Sequence, residues 1–190
     1  MRWSFFALFF IAACAHSQSA TGIKERKSGT EFMAASTQAM QKDDTLNPGM
    51  LWVKDGEALW QQPAGLSQKS CSNCHAQSSM KGVAGRYPAF DDLLQRPITL
   101  NQRINQCKQR HQQAEPLRFE SQDLLSFEAY VAHQSRGMPV APPDDKRLDT
   151  YRQQGQQRYT QRIGQLNLSC AQCHDNNAGG KLGNSQIPQA

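Results

Sequence analysis

The sequence predicts an all-α protein made of two related helical units in tandem, the second of them incomplete. Three observations carry that prediction. Apolar side chains recur at helical spacing in "GMLWVKDGEALWQQ" and "SQDLLSFEAYVAHQ". The chain also repeats itself at a constant offset: Gly56 matches Gly155, Trp60 matches Tyr159, Gly65 matches Gly164 and Ser70 matches Ser169. Trp52 and Tyr151, further upstream, are both aromatic. This period is far longer than that of a solenoid, so it describes two domains rather than a stacked array. Finally, glycine and proline fall where helices stop, at Gly65, at Gly164 and in the linker "RGMPVAPPDD".

The elements follow in order. Residues 1–20, "MRWSFFALFFIAACAHSQSA", have a short basic start at Arg2, an apolar run from Trp3 to Ala13 and then small residues. That is the pattern of a secretory signal peptide, with "Ala13-Cys14-Ala15" as its cleavage site. The same stretch also reads as a lipoprotein box that would leave Cys14 lipidated. The apolar run is too short to span a bilayer as a stable helix, and no transmembrane segment is expected in the mature chain. The first unit covers about residues 46–140. It holds the helix of 49–62, a loop with Gly82, Gly85 and Pro88, and a helix in "ITLNQRINQCKQRHQ", which Thr99 or Asn101 caps. A further helix starts near Ser121, with Leu124, Leu125, Phe127 and Val131 on its buried stripe. The second unit covers 144–190 and opens with "DDKRLDTYRQQGQQRYTQ", a more polar helix of the same kind. It is too short for a core of its own. The equivalent of Cys107 would fall near position 206, so the sequence is expected to be truncated at its C-terminal end. The Gly- and Asn-rich residues from Asp175 to Ala190 are expected to be mobile.

Composition narrows the function classes. The chain of 190 residues is polar, with 38% hydrophobic residues and a formal charge of +5. Lysine and arginine are spread along the chain and do not cluster with aromatics, so nucleic-acid binding is not expected. The charge suits small anions or acidic partners.

Cysteine usage is more specific. There are six cysteines. Cys71, Cys74 and His75 form one C-x-x-C-H motif; Cys170, Cys173 and His174 form the other. In this motif two thiols add to the vinyl groups of a haem, and the adjoining histidine reaches the iron from the same side. Zinc ligation or a C-x-x-C redox pair are the alternatives. The histidine after each pair, the export signal and the duplication favour two covalently attached c-type haems, in cytochrome c-like domains. Three residues compete for the second axial position on the first iron. Met138 lies where an electron carrier would place its ligand. Cys107 is an odd thiol in an exported chain, and iron takes thiolate readily. His111 shares the helical face of Cys107. Cys107 is preferred. No Cys, Met or His follows His174, so the second iron has no visible sixth ligand.

The segments "NPGMLWVKDGEALW", "SCSNCH", "INQC", "AYVAHQSRGMPV" and "GQLNLSCAQCH" together resemble the SoxA subunit of the SoxAX cytochromes of bacterial sulfur oxidation. The likeness is to the dihaem branch and covers about Leu46 to Gln186. It implies a periplasmic L-cysteine S-thiosulfotransferase that pairs with a monohaem cytochrome, SoxX. Together they join thiosulfate to a cysteine of the carrier SoxYZ, two electrons leaving through haem. It also implies His75 and Cys107 on the first iron and His174 on the second. The catalytic cysteine, often a persulfide, and a substrate-binding arginine are expected beyond Ala190, so this polypeptide alone is expected to be inactive. The competing classes are a dihaem electron-transfer protein without sulfur chemistry, using Met138, and a haem peroxidase with an open iron.

Overall fold

The computed structural model describes residues 27–189. The signal peptide of 1–20 and Cys14 lie outside the described residues. Six helices carry the fold: α1 (Ala35–Lys42), α2 (Gly49–Gln61), α3 (Leu100–Cys107), α4 (Gln122–His133), α5 (Asp149–Thr160) and α6 (Cys170–His174). Two short antiparallel hairpins, β1 (Ala89–Asp91) with β2 (Arg96–Ile98) and β3 (Lys181–Leu182) with β4 (Ser185–Gln186), add to the helix-rich chain what the all-α reading omits. None of the described helices is long and apolar enough to cross a membrane.

The first unit is built on the crossing of α2 and α4. Trp60 from α2 meets Phe127, Tyr130 and Val131 from α4 and Leu100 from α3, all of them buried. Burying such side chains contributes roughly 1.5–3 kcal/mol each. The Trp60 and Tyr130 rings lie 5.6 Å apart at 50°, a tilted aromatic pair. Close approach depends on Gly56. A Cβ there would overlap the Ser126 carbonyl oxygen and lie 2.7 Å from the Tyr130 Cβ.

Helix α3 starts where the sequence allows. Thr99 is its N-cap, with Gln102 Oε1 accepting from the Thr99 amide at 3.0 Å in a capping box. Ser121 caps α4 through the Leu124 amide. Beyond Cys107 the helix widens into a π-helical turn, Lys108–Gln112, which the sequence did not announce. It ends at Gln113 with φ 53°. The turn "GLSQ" before the first haem motif docks onto this π-turn. The Leu66 and Ser67 amides donate to the Gln113 and Gln112 carbonyls, both at 3.2 Å. Gly65 has φ 64°, and a Cβ there would overlap the Gln112 carbonyl oxygen.

The second unit repeats the elements without their covers. The bridge Ile163↔Leu168 reproduces Ala64↔Lys69, and Gly164 and Asn167 reproduce the positive φ of Gly65 and Gln68. Yet a Cβ on Gly155 or Gly164 would meet nothing within 4 Å, and α5 has no buried residue. The linker is pinned to the first unit. Arg147 pairs with Asp145 and Asp92 and lies 4.2 Å over the Phe90 ring, while Leu148 beside it is buried.

The tail corrects an expectation. Residues after Asp175, expected to be mobile, fold back through β3 and β4. The Gly179 amide donates to the Ile187 carbonyl and the Ile187 amide to the Gly180 carbonyl, both at 2.8 Å. The glycines and asparagines that suggested mobility instead supply turn chemistry. Gly179 and Gly183 take φ of 82° and 60°, and Asn177 Nδ2 donates to the Gln172 carbonyl at 2.6 Å.

Candidate haem sites

Each C-x-x-C-H motif is presented by a capped turn. In the first, Ser70 and Asn73 form a capping box around the 3₁₀ turn Cys71–Asn73, and the His75 amide donates to the Cys71 carbonyl at 3.0 Å. In the second, Ser169 and Gln172 form the same box at the start of α6. The repeated Ser70/Ser169 pair therefore has a mechanical role: both serines are buried and organise the turn that carries the thiols.

The first motif opens onto a cavity of ≈ 350 Å³. Its walls are Trp60 from α2, Leu100 and Ile104 from α3, and Phe127 and Val131 from α4. Cys71, Cys74 and His75 line one side, while Cys107, Lys108 and His111 reach the same cavity from α3 and the π-turn. Met138 is not among the lining residues; it is 41% exposed and lies beside Gly82. Cys107, in a stretch of sequence that looked polar, is half-buried, on a helix that places Leu100 in the core and packs Ile104 against it. Burial pushes its thiol up, while Arg103 and Arg110 pull it back down. Burial likewise raises the Cys71 thiol, against the charge of Lys108. No Asp or Glu lines the cavity, whereas Lys69, Arg86, Arg103 and Lys108 do.

The cavity fits a porphyrin: apolar walls, two thiols at one edge, and a histidine and a further thiol facing the same space. Among the described residues no group of three or more His, Cys, Asp or Glu side chains is placed to hold a bare metal ion. His75 lies against Trp60, ring centroids 6.0 Å apart. In the second unit the matching Tyr159 instead donates its hydroxyl to Asp175 at 2.8 Å. His174 Nδ1 lies 3.0 Å from the Pro188 carbonyl oxygen. With Nδ1 as the donor, Nε2 keeps its lone pair for a metal, the arrangement that orients a ligating histidine. Sequence reading missed Pro188, because nothing in "SQIPQA" shows that the tail returns. It also missed Asp91, which the β1–β2 hairpin buries and which pairs with Arg103 of the cavity wall at 3.0 Å.

Residues 55–140 match the model of the SoxA/TsdA cytochrome c domain. A cytochrome c domain implies a covalently attached c-type haem with its iron. The chain is 37% identical over 158 residues to the L-cysteine S-thiosulfotransferase subunit SoxA of Pseudaminobacter salicylatoxidans, covering 82% of this chain and 55% of that one. It is 35% identical to the SoxA subunit of Rhodovulum sulfidophilum, covering 80% and 53%. The crystal structure of SoxXA from P. pantotrophus superposes with a TM-score of 0.80 at 30% identity, covering 87% of this chain and 63% of that one. The chain thus spans about half the length of these curated relatives.

Proposed function

We propose that the chain is the SoxA-type cytochrome subunit of a thiosulfate-oxidising L-cysteine S-thiosulfotransferase. In this reading it pairs with a SoxX-like monohaem cytochrome and acts on a cysteine of a SoxYZ-like carrier. The carrier thiolate and the outer sulfur of thiosulfate form a new S–S bond. Two electrons are released, and the product is the cysteine S-thiosulfonate. Bound haem supplies the one-electron acceptors for that oxidation.

The residues have assigned roles in this reading. Cys71 and Cys74 would hold the first haem as thioethers, and His75 and Cys107 would ligate its iron. Cys170 and Cys173 hold the second, with His174 on its iron. The first haem domain spans 46–140, and a second begins at 144. Export to the periplasm follows the signal of residues 1–20, with Cys14 as a lipidation site in the lipoprotein variant. The observation that carries the reading is the convergence of Cys71, Cys74, His75 and Cys107 on one apolar cavity within the matched family domain. Thiolate ligation stabilises ferric iron, which suits a low-potential site better than a high-potential relay.

The test is reconstitution of the haem-loaded protein with the monohaem partner and the carrier. Mass spectrometry of the carrier is expected to show thiosulfate-dependent addition at its cysteine. Electron transfer without any carrier modification would favour the plain dihaem cytochrome.

A further inference from the structure

The haem cavity carries two arginines that the proposed chemistry does not use. Arg103 sits on α3, and Arg86 on the 3₁₀ turn Ala84–Arg86; both line the cavity. Arg103 makes a single ion pair, from one terminal nitrogen to Asp91 Oδ2 at 3.0 Å. Asp91 is 3% exposed and fixed by the Leu93 and Leu94 amides at 3.1 and 2.8 Å. Among the described residues the rest of the Arg103 guanidinium has no hydrogen-bond partner, and Arg86 has no ion pair at all. A buried carboxylate thus holds Arg103 at the cavity rim with most of its donors unspent.

The position of these donors selects their ligand. The thioether edge of the cavity is at Cys71, where Gln112 Nε2 approaches the sulfur at 3.9 Å and Lys108 contacts Gln112. Arg103 lies five residues earlier than Lys108, about 7.5 Å along the helix axis. It is thus set back along α3 from the Cys71 edge by more than one helical turn. A c-type haem carries its two propionates on the edge opposite its thioethers, and arginine matches carboxylate in planar, bidentate geometry. We propose that Arg103 and Arg86 form the propionate clamp of the first haem, with Asp91 as the positioning residue that sets the Arg103 fork. This inference rests on the haem reading above.

The test compares haem-loaded protein with Arg103→Gln, Arg86→Gln and Asp91→Asn variants. The second haem is common to all of them, so difference spectra report the first. In Arg103→Gln the propionate-bending band of the resonance Raman spectrum is expected to move. The pH range over which the midpoint potential varies is expected to shift upward, because the propionate loses its cation. Asp91→Asn should give the same changes, smaller, with the cation still present. Where Arg103→Gln fails to mature, Arg103→Lys decides: it keeps the charge and loses the fork, and the band should still move. Haem-loaded variants with an unaltered band and pH profile overturn the clamp while leaving the haem reading intact. Parent protein with no haem on Cys71 and Cys74, measured by pyridine haemochrome, overturns the haem reading and the clamp with it.

Discussion

The internal repeat permits one substitution to be made twice with opposite expected signs. Gly56 and Gly155 occupy equivalent positions in α2 and α5. A Cβ on Gly56 would overlap the Ser126 carbonyl and crowd the Tyr130 Cβ at 2.7 Å, whereas one on Gly155 would meet nothing within 4 Å. Gly56→Ala gains about 1 kcal/mol of helix propensity but incurs overpacking of up to about 3 kcal/mol. The obstacle is the backbone of α4, which cannot swing aside like the end of a side chain. A net loss of about 2 kcal/mol lowers the melting temperature of a domain this size by roughly 10 °C. Gly155→Ala has only the propensity term and should stabilise α5 by about 0.5–1 kcal/mol. Urea and thermal denaturation of haem-loaded protein, followed by helical circular dichroism, measure both. A Gly56→Ala protein as stable as its parent, or a Gly155→Ala protein that loses as much as Gly56→Ala, would refute the account of the helix crossing.

Further outcomes follow from the sites. Cys107→Ser should abolish a low-spin thiolate signal in electron paramagnetic resonance of the ferric protein, and Met138→Leu should leave it; the reverse pattern would return the ligand role to Met138. Tyr159 is pushed up to about 12, first by burial and then by its bond to Asp175. The stability it contributes is present below about pH 10, the unfolded value, and is lost as pH rises towards 12. Ultraviolet titration of the phenol should show this late ionisation, and Asp175→Ala should bring it earlier. Replacing Arg147 by Ala removes its pairs to Asp92 and Asp145 and its contact with Phe90. Limited proteolysis of the 136–145 linker should then speed up, and an unchanged rate would mean that Leu148 alone holds the joint.

Local signals in the sequence were readable because their physics is local. Helices α2, α3, α4 and α5 lie within the segments read as helical; of the two caps offered for α3, Thr99 is the one used, and Ser121, where the next helix was placed, caps α4. Cys107 could be singled out by cysteine counting, but its place on the haem cavity depends on α3 returning over the first motif. The π-turn after Cys107 is a tertiary effect. Lys108 and Gln112 turn inward there, and Gly65 presses on the Gln112 carbonyl. No propensity in "KQRHQ" encodes that contact. Asp91 is likewise one of two adjacent aspartates, and only the hairpin register decides that it is buried while Asp92 faces Arg147.

The repeat explains why the two halves of one pattern behave so differently. Gly65 and Gly164 share a positive φ, and Ser70 and Ser169 share a capping box, because those features are set within a few residues. Trp60 and Tyr159 share a position but not a role. Trp60 is buried against α4 and faces His75, whereas Tyr159, with no equivalent of α4 upon it among the described residues, turns its hydroxyl to Asp175. The second motif thus keeps its local geometry, including the His174 ring held by the Pro188 carbonyl, without the packing that surrounds the first. What α3 and α4 add to the first motif is therefore the apolar cavity and a further thiol, Cys107, that faces it. The capped turn that presents the two thiols and the histidine stands without them.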